Sequence, residues 1–200
     1  MTAAQTFVED RICFEFDRDA WLAIKWDDAV EFTGPTGIRK LNGTLTDAAR
    51  NVQIPQGTRG VDFIGLHADS LYLFEVKDFR GYAAANAHRQ EHELPLEIGL
   101  KVRDTLAGLV GANHVHPTQW IRQAVDILAD RVRPITVIAW IVEDVPHSTR
   151  DRRVGIKTAN VRNHQLQQRL SWLTRRAWVD DPLNPSVELP SVRARTIRAP

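Results

Sequence analysis

Between Gly60 and Gly81 the chain reads GVDFIGLHADSLYLFEVKDFRG: two short apolar runs, Val61 to Leu66 and Leu71 to Lys77, around the polar tetrad His67, Ala68, Asp69 and Ser70. That pattern predicts an antiparallel hairpin. Pairing Leu66 with Leu71 sets Gly65 opposite Tyr72, Ile64 opposite Leu73, Phe63 opposite Phe74 and Asp62 opposite Glu75. Strand alternation then puts Glu75 and Lys77 on one face, with Lys77 one diagonal step from Asp62.

Upstream, Arg11 to Phe16 alternates, and Ala20 to Trp26 is a second extended run after the turn-like Asp17, Arg18 and Asp19. Together they predict an N-terminal hairpin. Asp27, Asp28 and Glu31 open a short helical piece, where acids suit the first turn. From Gly34 to Gly60, turn formers (GPTG, LNGT, IPQGTRG) predict a loop with a short helix at Thr46 to Asn51. It ends at Arg59, a phosphate-contact candidate beside Asp62.

Downstream, Ala83 to His92 is a polar connection. Its His88 and His92 have helical spacing but no third ligand, and read as surface histidines. Pro95 opens a helix with an apolar stripe of Leu96, Ile98, Leu100, Val102, Leu106 and Leu109, ending near Gly108 and Gly111. Its other side carries Glu97, Lys101 and Asp104. A second helix from Pro117 to about Ala129 buries Trp120, Ile121, Ala124, Val125 and Leu128. The continuous apolar run Pro134 to Val142 fits a strand covered on both faces, closed by Glu143 and Asp144. A last helix capped by Asn160 or Asn163 carries Leu166, Leu170 and Leu173, followed by a short strand at Ala177 to Val179.

These elements predict one α/β domain over residues 1–181, core about 55–180, with a central mixed sheet and helices on both sides. The tail 182–200, punctuated by proline and carrying Arg193, Arg195 and Arg198, is expected to be extended or partly disordered.

Composition narrows this picture. With 200 residues and 43% hydrophobic content, one core is sufficient. The single cysteine, Cys13, excludes an internal disulfide framework and fits a cytoplasmic location. No apolar run has membrane-spanning length, and the first residues lack the order of a secretion signal. The formal charge is only +1, but acids crowd the first thirty-odd residues while arginines and Lys157 crowd Arg150 to Arg176. That asymmetry gives either a basic face beside the acids or a solvated helix surface.

The chemistry lies at the open end of the hairpin. Two facing carboxylates repel unless they share a proton or hold a cation. A hard divalent ion bound by Asp62 and Glu75 would keep positions open for water and phosphate, with Lys77 to orient or activate the water.

Asp62, a hairpin and then Glu75-Val76-Lys77 resembles the core of the PD-(D/E)XK nuclease superfamily. EVKDFRG (Glu75 to Gly81) and ELPLEIGLKVRDTLAGL (Glu93 to Leu109) are similar to a group of bacterial proteins within it. Val61 stands where the superfamily name has proline. The resemblance implies a restriction-endonuclease-like three-layer domain, a Mg2+ or Mn2+ ion on Asp62, Glu75 and the Val76 backbone carbonyl, and a nucleic-acid substrate, DNA ahead of RNA. It also implies an added acid from an early helix, for which Glu31 or Asp28 is placed, and a basic group from the helix after the motif, for which Lys101 is placed. Lys101 equally fits an ion pair with Glu97, and Arg80 either reaches phosphate or pairs with an acid. The alternatives to a constitutive nuclease are a silent subunit that binds nucleic acid or a partner protein, and an effector active only with a partner. A homodimer is a further option.

Overall fold

A computed structural model describes residues 4–47, 52–81, 93–144, 149–187 and 189–197. The predicted strands β6 (Phe63–His67) and β7 (Ser70–Asp78) pair antiparallel in the expected register, from Leu66 opposite Leu71 to Phe63 opposite Phe74. The tetrad shrinks to a two-residue turn. His67 faces Ser70, while Ala68 and Asp69 take φ of 45° and 59°, the left-handed pair that matches strand twist.

Around this hairpin grows a five-stranded mixed sheet in the order β3-β6-β7-β8-β9, where β3 is Leu22–Lys25, β8 is Ile135–Val142 and β9 is Arg176–Asp180. β3 runs antiparallel to β6, and β7, β8 and β9 are mutually parallel. Their crossovers are helical, as parallel neighbours require. α2 (Leu94–Val115) and α3 (Gln119–Ala129) join β7 to β8, and α4 (Thr149–Leu170) joins β8 to β9. The short α1 (Val30–Thr33) follows β3.

The N-terminal hairpin exists with different partners. β1 (Ala4–Glu9) pairs with β2 (Ile12–Asp17), whereas the run expected to pair with β2 became β3 of the central sheet. In that place Ala23 lies opposite Gly65 and is wholly buried, and Ile24 lies opposite Ile64. The tail is also structured, since β10 (Val192–Thr196) pairs with the free side of β2.

Two cores sandwich the central sheet. On one face Ile64, Leu66, Leu71, Leu73, Val137 and Ala139 pack against Phe32, Ile98, Val102, Ala124 and Leu166 of the four helices. On the other, Phe63, Phe74, Ile138 and Trp140 meet Ile12, Phe14 and Phe16 of β2. Phe14 and Phe74 stack on Trp140 with ring centroids 4.6 and 4.5 Å away. The helices therefore occupy one side rather than both, because the β1-β2-β10 sheet covers the second face.

Other boundaries moved. α2 buries Leu94, Ile98, Val102, Thr105, Leu109 and Ala112, leaving Leu96 and Leu100 over 40% exposed. It also runs past Gly108 and Gly111 to Val115. Thr46 and Asp47 belong to strand β4 (Gly43–Asp47), paired with β5 (Val52–Gln56), so no helix begins there. The rest of that predicted helix, and His88 and His92, lie outside the described residues. α4 starts before both asparagines; Asn163 accepts a hydrogen bond from the Val179 N–H at 3.0 Å instead of capping. No helix among the described residues is long and apolar enough to cross a membrane.

Candidate active site

Period-two alternation carries the apolar row Leu71, Leu73 of β7 onward to Glu75 and Lys77 on the helix-covered face. Glu75 is only 1% exposed and Asp62 4%. The β6–β7 ladder stops at Phe63 and Phe74, so Asp62 does not pair with Glu75 across the strands. Its N–H donates to the Phe74 carbonyl at 3.0 Å, and its Oδ2 accepts from the Val76 N–H at 2.6 Å. Asp62 is thus locked to the Glu-Val-Lys backbone by its own side chain.

Two ammonium groups converge on Glu75. Lys101 Nζ lies 2.6 Å and Lys77 Nζ 2.7 Å from Oε1, and Lys101 also reaches Asp62 Oδ1 at 3.4 Å. Glu97 is 3.5 Å from Lys77, so the helix acid contacts the strand lysine while Lys101 turns to the buried acids. Glu75 Oε2 is buried and accepts no hydrogen bond among the described residues. Burial first, and the Asp62 charge second, push the Glu75 carboxyl up to about 7 against the two lysines. Burial opposes charge on Lys77, but Glu75 outweighs it and holds the ammonium above its ordinary value.

Sequence reasoning missed Glu9 and Asp27. β3 continues past its ladder, with the Trp26 N–H donating to the Asp62 carbonyl at 2.9 Å, so the next residue, Asp27, arrives beside Asp62. Glu9, at the end of β1, is drawn in by Lys25 at 3.1 Å. One carboxylate oxygen from each of Glu9, Asp27 and Asp62 lies within 4.8 Å of the others. Asp27 Oδ1 is a second buried acceptor without a partner among the described residues. Burial, then Asp62, raises Asp27 to about 6, and the same causes raise Glu9. An all-oxygen set that includes an unpartnered buried acceptor fits a hard divalent cation. The placement of β3 beside β6, which no local pattern announces, makes the residue after Trp26 a neighbour of Asp62.

The other candidates lie elsewhere. Asp28 is 71% exposed on its side chain and pairs with Lys25, and Glu31 does not join the acid cluster because α1 carries it past the turn at Asp27. Arg80 is committed to Asp78 at 2.6 Å and to Thr196 at 3.0 Å. Arg11 holds Asp78 from the other side at 2.8 Å; despite burial, the two arginines keep that carboxyl down at about 2. Arg59 is exposed, and its N–H donates to Asp104 at 3.1 Å while Thr105 accepts from the Val61 N–H at 3.0 Å. Asp104 and Thr105 of α2 therefore anchor the backbone entering Asp62.

No family model and no solved structure matches the chain. A cysteine–tRNA ligase of Neisseria meningitidis is 31% identical over 117 residues, covering 54% of this chain and 17% of that protein. The chain thus spans less than a fifth of that relative's length.

Proposed function

We propose that the protein is a Mg2+- or Mn2+-dependent nuclease with a restriction-endonuclease-like domain, acting on nucleic acid, DNA ahead of RNA. The observation that carries this reading is Glu75: a carboxylate almost wholly buried, one oxygen gripped by two lysines and the other without a donor. A fold built only for stability gains little from such a group, since an apolar residue there avoids the desolvation cost. An antiparallel hairpin continued by parallel strands, with the acids on the helix-covered face, supports the fold half of the proposal.

Glu9, Asp27 and Asp62, whose carboxylates cluster, would hold the metal, with Glu75 and the Val76 carbonyl as the further ligands that the motif resemblance implies. When bound, such an ion lowers the pKa of its water and offsets charge on the scissile phosphate. Lys77, kept protonated by Glu75, acts as a charged donor that orients the attacking water and stabilises the added negative charge, not as a base. Lys101 fixes Glu75 and Asp62 relative to each other. In the reaction the water oxygen bonds to phosphorus as the P–O ester bond breaks, the attacking water giving up one proton to solvent and the leaving oxygen taking one from solvent.

The test is cleavage of plasmid, linear duplex, single-stranded DNA and RNA with Mg2+ or Mn2+, comparing the native chain with Lys77→Ala and Glu75→Ala. RNA belongs in the set because the partial relative is named for tRNA. Metal-dependent cutting lost in both variants is expected. Silence on every substrate with no calorimetric metal binding overturns the proposal in favour of a silent subunit, and silence with metal bound points to an activating partner.

A further inference from the structure

Away from the acids, the ends of α3 and α4 and the starts of β8 and β9 frame an open cleft of about 550 Å³. Arg131, Arg133, Arg175 and Arg176 line it, with Asp130 as its acid. Arg133 pairs with Asp130 at 3.2 Å, while no acid pairs with Arg131, Arg175 or Arg176 among the described residues. Into this basic cleft projects Trp172, 59% exposed, whereas Trp21, Trp26 and Trp140 are each 3% exposed or less. Val132 beside it is 89% exposed.

An indole left in water on a turn contributes little to the fold, and three uncompensated guanidiniums around it repel one another. Both features become favourable together against one kind of ligand. A strand of unpaired nucleotides offers flat base faces to stack on the indole and phosphates for the arginines. Duplex DNA offers phosphates but keeps its base faces stacked inside, and an acidic protein offers charge without stacking faces. We propose that this cleft is a binding site for single-stranded nucleic acid, with a base stacked on Trp172 and flanking phosphates on Arg131, Arg175 and Arg176. Ile135, which lines the cleft, lies four residues before Ala139, the strand partner of Glu75. Along β8 that is roughly 13 Å, so the cleft lies at the start of the strand and the acids beside its later part.

The proposal does not need catalysis, and its test is done without it. Full-length protein in EDTA is titrated with oligothymidylate, oligouridylate, a blunt duplex and polyglutamate, following tryptophan fluorescence and anisotropy. The expected result is single-strand binding with quenching, weakened about fivefold or more and stripped of its quenching in Trp172→Ala. The triple variant Arg131→Ala, Arg175→Ala, Arg176→Ala should lower the slope of log affinity against log salt by about 2, at about 0.7 per lost contact. Unchanged thermal unfolding of these surface variants keeps the comparison valid, and Trp172→Phe, which preserves a stacking face, should retain most of the affinity. Binding unaffected by Trp172→Ala, no single-strand binding at low salt, or equal binding of polyglutamate without quenching overturns it. A protein that binds here, cleaves nothing and takes up no metal would sink the nuclease reading alone.

Discussion

Lys101 bridges the two buried acids, its Nζ 2.6 Å from Glu75 and 3.4 Å from Asp62. It comes from α2, whereas both acids come from the hairpin, so a single ammonium ties the helix layer to the sheet at the site. Lys101→Met removes a charge that lowers the Glu75 pKa. The carboxyl, already near 7, should rise further by about 1 to 3 units. If the proposed nuclease reading holds, the ionised acid is the form that would bind cation, and the acid limb of the cleavage pH profile should move up with it. Activity at pH 7 should fall about tenfold or more and recover partly at pH 9, while Lys101→Arg keeps the limb in place. Uniform loss at every pH would make Lys101 a packing residue.

Glu75 also makes metal-free stability depend on pH. Its carboxyl is raised from 4.5 to about 7, so the folded chain holds a proton that the unfolded chain has released. That stabilising proton is fully held below about pH 4.5 and lost as pH climbs through 7. Glu75→Gln mimics the protonated acid permanently. In EDTA the variant should match the native chain near pH 4.5 and gain on it as pH rises, by at most about 1.4 kcal/mol per pH unit, levelling off above pH 8. Urea midpoints for the two proteins across pH 4.5 to 8 measure this. A difference independent of pH would mean that Glu75 stays ionised throughout.

The hairpin was legible because its register is fixed locally: apolar alternation and a turn of known geometry leave one pairing from Leu66–Leu71 to Phe63–Phe74. The helix at Pro95 was legible for a similar reason, and Lys101 with it. What the sequence hid was non-local. The run Ala23–Ile24 has the same apolar character beside β2 as beside β6, and only the completed core, which buries Ala23, chooses. Once β3 was assigned to the wrong partner, Asp27 had no reason to be near Asp62, and Glu31 on the following helix stood in its place. The exposed Leu96 and Leu100 mark a further limit, since a helix with apolar residues on several sides does not announce its buried face.

Asp27 is the acid that separates the observed cluster from the one expected at Glu31. A cation at 100 times its dissociation constant stabilises the fold by about 2.7 kcal/mol, or several degrees in Tm for a chain of this size. Asp27→Asn should lose most of that shift with Mn2+, and Glu31→Gln should keep it. Asp27 titrates near 6, so protons compete with the metal below that value. The native shift should therefore shrink as pH falls from 7 to 5. Equal shifts in both variants would remove Asp27 from the site.

Gly60 controls how Trp26 and Asp62 approach each other. A Cβ there would sit 2.7 Å from Trp26 Cδ1 and 3.2 Å from Phe32 Cζ, so a ring in the core must move. Trp26 also donates its N–H to the Asp62 carbonyl at 2.9 Å and precedes Asp27. Gly60→Ala should cost about 1 to 3 kcal/mol through overpacking and weaken the Mn2+ response as well, because the displaced ring carries the acid cluster with it. Gly111→Ala is the control: it lies in α2 with nothing within 4 Å of the new methyl, and helix propensity predicts a gain of up to about 1 kcal/mol with the metal response intact. Denaturant unfolding with and without Mn2+ separates the two effects. If Gly60→Ala lost stability while keeping the full metal shift, the acids would be held in place by α2 through Lys101, Asp104 and Thr105 and not by the packing of Trp26.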